Sequence, residues 1–135
     1  MINEPVYEVA RAMVDEGLLE AVDALQVDHF LARPGLSLLF FGGGNAVRRE
    51  SHDVAVALRE LLRDYTGALN AAWVEPDADG ALQSRFRVAA TPCLVFCAGD
   101  QIVEVVPRVR DWAEYSALFQ RYLGPVKPRQ VSGAA

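Results

Sequence analysis

The run LSLLFF at residues 36–41 constrains this chain more than any other stretch. It shows no alternation of polar and apolar residues, and glycine bounds it on both sides. A strand with one wet face alternates, so an unbroken apolar run of this length predicts a strand covered on both faces at the centre of a sheet. After it, Val54, Leu58, Leu61, Leu62 and Tyr65 share one helical face, with Asn45 placed as N-cap and Gly67 at the exit. LNAAWV at 69–74 then reads as a second strand. A helix joining two such strands is a βαβ crossover, and its strands are expected to be parallel.

The flanking segments complete the order. Pro5 suits a first helical turn, and Val6, Val9, Met13 and Val14 recur at helical spacing up to Gly17. LLEAV reads as an outer strand and VDHFLAR as a short helix stopped by Pro34-Gly35. DGALQSRFRV is expected to be a helix with Ala81, Leu82 and Phe86 inward. CLVFC and QIVEVV flank Ala98-Gly99-Asp100 and predict a hairpin. Asp111 is placed to cap a last helix whose Trp112, Tyr115, Leu118, Phe119, Tyr122 and Leu123 share a face, until Gly124-Pro125 ends it. The expectation is an α/β fold: a mixed sheet flanked by helices, with an added N-terminal helix and a terminal hairpin plus helix. One domain would span 1–124, and 125–135 would be a flexible tail.

With 135 residues, one core is sustainable and two are not. Eighteen acidic against thirteen basic side chains leave a net charge of −5, which disfavours nucleic acid and anionic membranes and favours a basic partner. Glu4 and Glu8 stand where a signal peptide would be positive, and no apolar run reaches the ~20 residues of a spanning helix, so no membrane insertion is expected. Two cysteines make no disulfide framework. Together these place the chain in the cytoplasm.

Both cysteines fall in RVAATPCLVFCAG, residues 87–99. Four residues apart on one strand, Cys93 and Cys97 would lie ~13 Å apart, whereas a disulfide requires Cα atoms within about 7 Å. They can neither bridge nor share a zinc ion. Ser51, His52 and Asp53 are consecutive, so their side chains diverge by about 100° and form no triad; they read as a solvated helix face. His29 has no second ligand or base at useful spacing. Gly42–Gly44 between strand and helix sits where nucleotide loops occur, yet neither glycine-rich phosphate motif can be written through it, and Arg48 and Arg49 read as surface charge. Glu75, Asp77 and Asp79 cluster after the strand 69–74, where Asp77 or Asp79 could cap the next helix. They also fall at the carboxyl end of the parallel strands, the usual binding crevice of an open α/β sheet, together with Gly43, Gly44 and Asn45.

The element order, with Thr91-Pro92 entering a terminal hairpin, resembles the thioredoxin fold over residues 19–124. That resemblance implies a cis Pro92, which sequence physics alone leaves open, facing the bend where a dithiol normally sits; here the bend is FFGGGNAVRRE and has no cysteine. The added N-terminal helix with FLARPGLSLLFF, ALRELLRDY, RFRVAATPCLVF and DWAEYSALFQRYLG is similar to a narrower group, the thioredoxin-like HyaE/HupG/HoxO accessory proteins of uptake nickel–iron hydrogenases. Membership would imply a non-catalytic chaperone without cofactor. Its partners would be the hydrogenase small-subunit precursor with its twin-arginine leader and, besides it, other accessory proteins. Gly43, Gly44, Asn45, Glu75, Asp77, Asp79, Thr91, Pro92 and Cys93 would form the partner-binding edge. The alternatives are a monothiol redox protein working through Cys93, or a subunit contributing only scaffold surface.

Overall fold

The computed structural model describes residues 7–44 and 47–126. The order is α1 (Glu8–Asp15), β1 (Glu20–Val22), α2 (Val27–Leu31), β2 (Leu36–Phe41), α3 (Arg48–Asp64), β3 (Asn70–Val74), α4 (Pro76–Gln83), β4 (Cys93–Ala98), β5 (Gln101–Pro107) and α5 (Trp112–Leu123). The five strands form one sheet in the order β1-β3-β2-β4-β5. β3 runs parallel to β1 and β2, while β4 is antiparallel to β2 and β5. The hairpin closes on the pair Ala98–Gln101, leaving Gly99-Asp100 as a two-residue turn with Gly99 at φ +61°.

LSLLFF is covered on both faces, as its composition requires. Leu38 and Phe40 join a core with α1, α3 and α5, including Leu58, Phe96 and Phe119. Leu39 and Phe41 join a second core with α2 and α4, including Phe30, Phe86 and Val95. Each such side chain contributes about 1.5–3 kcal/mol by leaving water, and together these two layers hold the sheet rigid.

The added helix α1 is fixed at both ends. Ala10 and Met13 are buried in the first core, and Glu16, just past the helix, takes hydrogen bonds from Arg59 and Arg63 of α3. The bond from Arg59 holds the Glu16 carboxyl below its ordinary range, with the bond from Arg63 adding to it. At the other end, the Tyr7 hydroxyl donates to Gly43 O, 36 residues away.

Several local expectations are corrected. α4 begins at Pro76, where a proline suits the first helical turn, so Asp77 and Asp79 lie inside the helix and Glu75 takes the N-cap position. That earlier start turns Ala81 outward and buries Ala78 and Leu82; Phe86 and Val88 pack beyond the helix end. There the chain reverses through left-handed Arg87, and Val88 N–H closes on Gln83 O. Trp112 is 49% exposed, because α5 buries the face through Tyr115, Leu118 and Phe119 and its first residue falls off that face. Asp111 takes the extended N-cap conformation, but its side chain makes no capping bond. Pro5, Val6, Asn45 and tail residues 127–135 lie outside the described residues, as do the side chains of Asp77 and Asp79.

Candidate functional site

Strand register assembles one end of the sheet. Val22 pairs with Val74, Phe40 with Trp73, Phe41 with Cys93 and Cys93 with Pro107. The exits of β1, β3, β2 and β5 and the entrance of β4 therefore line one edge, with Glu75, Gly42–Gly44 and Thr91-Pro92 along it. The Thr91-Pro92 bond is cis.

The middle of this edge is closed. Gly43 has φ +79°, and a Cβ there would run into the Thr91 hydroxyl, lie 2.8 Å from Thr91 Cβ and 2.8 Å from Val47 Cγ2. Only glycine fits so near the proline loop with that backbone. The turn's carbonyls are occupied: Tyr7 donates to Gly43 O, and Ser51 donates to Gly42 O. Ser51 is fully buried, so it is a fastener of the turn and not part of a solvated face; His52 and Asp53 are exposed. Behind the proline, Arg108 N–H donates to Pro92 O at 2.7 Å, and the Arg108 guanidinium reaches Glu50 of α3 at 3.0 Å. Pro92 is buried and Thr91 half-buried, whereas Gly44 is exposed with open space around it.

No disulfide joins the two cysteines. Cys93 is 1% exposed and its thiol donates to Leu94 O at 3.7 Å; Cys97 is fully buried opposite Ser37. Burial pushes the Cys97 thiol up to about 11, with Arg85 pulling weakly the other way. At neutral pH about one Cys97 in ten thousand would be thiolate, the form thiol exchange requires. Cys93 does not open onto a surface crevice, contrary to the monothiol alternative. Among the described residues, no group of three or more His, Cys, Asp and Glu is placed to hold a metal ion.

The β3 side of the edge is open. A cleft of 570 Å³ lies between α1 and the β3–α4 junction, lined by Arg11, Val14, Asp15, Ala21, Trp73, Glu75 and Pro76. Its floor is aromatic: Trp73 is 4% exposed, the Tyr7 ring packs on it at 5.4 Å between centroids, and the Arg11 guanidinium lies 5.8 Å from the ring centre. Tyr7 thus joins the two halves, with its hydroxyl on the glycine turn and its ring on Trp73. Of the expected site residues, the structure brings Gly43, Thr91, Pro92 and Cys93 together and puts Glu75 in this separate cleft. Tyr7, Arg11, Asp15, Ser51 and Trp73 carried no recognisable motif, because their roles exist only through contacts between distant segments.

These features define a thioredoxin-like fold whose dithiol bend is built of glycine. Solved structures bear out that class: a thioredoxin variant from Halobacterium salinarum superposes with TM-score 0.65 at 20% identity, covering 80% of this chain and 93% of that one. The oxidised thioredoxin of Plasmodium falciparum gives 0.66 at 13% identity, covering 78% and 98%. The chain belongs to the HyaE family, described as Hydrogenase-1 expression protein HyaE, which it matches over residues 9–115. Relatives include the hydrogenase expression/formation protein HupG of Rhizobium leguminosarum bv. viciae, 38% identical over 92% of this chain and 86% of that protein. The hydrogenase expression/formation protein HoxO of Cupriavidus necator is 32% identical over 96% and 82%.

Proposed function

We propose that this chain serves hydrogenase maturation as a non-catalytic chaperone in the cytoplasm, holding the small-subunit precursor through its twin-arginine leader before export. The observation that carries the reading is the glycine turn: where a thioredoxin-like fold would present its dithiol, this chain presents Gly42 and Gly43 fastened by Ser51 and Tyr7. Family membership supplies the pathway. The two buried thiols weigh against the redox alternative.

Two surfaces suit a leader. Glu75, Asp77 and Asp79 give the β3–α4 junction a negative charge for a basic segment. Solvated ion pairs contribute only about 0–1 kcal/mol each, so apolar contact must add to them. Val109, exposed, follows directly on Arg108, whose N–H is bonded to Pro92, and the exposed Trp112 opens α5 three residues further on. Such exposed apolar side chains would suit the leader's hydrophobic stretch, and an extended segment would find backbone groups at Thr91.

Co-purification tests the reading. The wild-type precursor should be retained and a leader-deleted precursor should not. Equal retention of both would refute leader docking. Charge reversal at Glu75, Asp77 and Asp79 should weaken retention, most clearly at low salt.

A further inference from the structure

The cleft beside α1 contains groups that the fold leaves unanswered. The indole Nε1–H of Trp73, buried in a residue that lines the cleft, meets no acceptor among the described residues. A buried polar hydrogen without a partner costs about 1–3 kcal/mol, which a ligand carbonyl would offset. Arg11, Asp15 and Glu75 line the same cleft, and none is in an ion pair among the described residues. Two carboxylates against one guanidinium leave this wall negative. Arg11 already lies over the Trp73 ring, so a guanidinium is compatible with that aromatic surface.

We propose that this cleft is the receptor for a basic side chain of a bound peptide, with Glu75 and Asp15 attracting the cation and Trp73 Nε1–H donating to a peptide carbonyl. The proposal rests on the leader-docking reading and narrows it: the cation enters between α1 and the β3–α4 junction, away from the glycine turn and Cys93. An acidic peptide is the opposite prediction, since it would pair with Arg11 and be repelled by both carboxylates. Arg11 therefore acts as a resident competitor, and neutralising it should improve binding of a basic ligand.

The test uses the full chain carrying Trp112→Phe, which leaves Trp73 as the one remaining indole. N-acetyl-Arg-Arg-amide, its Gln-Gln counterpart and its Glu-Glu counterpart are titrated while the Trp73 indole N–H resonance is followed. The Arg-Arg probe should shift that resonance saturably and the Gln-Gln probe should not. Glu75→Gln should weaken the Arg-Arg probe by about fivefold, Asp15→Asn should act in the same direction, and Arg11→Gln should strengthen it by about twofold or more. An unmoved resonance, or preferential binding of the Glu-Glu probe lost on Arg11→Gln, would overturn the proposal. Precursor retention by the chain that keeps Trp112, read in parallel, separates the two claims. A silent cleft with leader-dependent retention refutes the cleft alone, whereas probe binding with leader-independent retention refutes the leader reading.

Discussion

The two halves of one sheet edge have opposite characters. Around Gly43 every surface is matched: the glycine touches Thr91, the turn's carbonyls take Tyr7 and Ser51, and Pro92 O takes Arg108 N–H. Around Trp73 the surfaces are unmatched, with an indole hydrogen lacking an acceptor and three charged side chains outside any ion pair among the described residues. A fold that fills the usual reactive place with fastened backbone has committed it to stability. The proposed binding is left to the cleft beside α1, the element added to the thioredoxin-like frame.

Substitutions should separate the halves, and the largest effect is expected at Gly43. Gly43→Ala combines a left-handed backbone with overlap on Thr91 and Val47, and should cost about 2–4 kcal/mol in denaturant unfolding. Gly44→Ala, at the next residue but in open space, should stay within about 0.5 kcal/mol. Equal costs at the two positions would erase the contrast. Ser51→Ala should come next, at about 1–3 kcal/mol, because it leaves Gly42 O without its buried donor.

Alkaline pH gives a comparable effect in the core behind the edge. Cys97 is raised from 9.0 to about 11 by burial, so its unfolded form loses the proton first. Its contribution is fully present below pH 9 and is lost as pH rises through about 11, on the order of 2 kcal/mol. Burial raises Tyr115 and Tyr65 in the same direction. Cys97→Ala should therefore flatten the alkaline decline in thermal unfolding without abolishing it. Tyr7→Phe should cost less than Gly43→Ala or Ser51→Ala, about 1 kcal/mol for the loss of one hydrogen bond, while the ring stays on Trp73.

How much of this was legible in the sequence depended on whether a feature is local. LSLLFF could be read as a central strand because burial on both faces leaves its mark in composition, and the hairpin because Gly99 is the residue its turn requires. The cis Pro92 came from resemblance and is found in the structure. Helix faces were read less well. Starting the fourth helix three residues late, at Asp79, turns Ala81 inward, and grouping Trp112 with α5's apolar stripe hides its exposure. The fasteners and the cleft were not legible at all. Tyr7 reaches Gly43 across 36 residues, and nothing in MINEPVYEVARAM says where that hydroxyl will land. Ser51 looked like a surface residue because its two neighbours are.

The central claim is that this fold grips without sulfur chemistry, and the most direct measurement is retention of the small-subunit precursor by a chain with both Cys93→Ala and Cys97→Ala, its folding verified by thermal unfolding. Retention equal to wild type is expected, still dependent on the leader. A folded double variant that no longer holds the precursor would show that a thiol takes part and would contradict the claim.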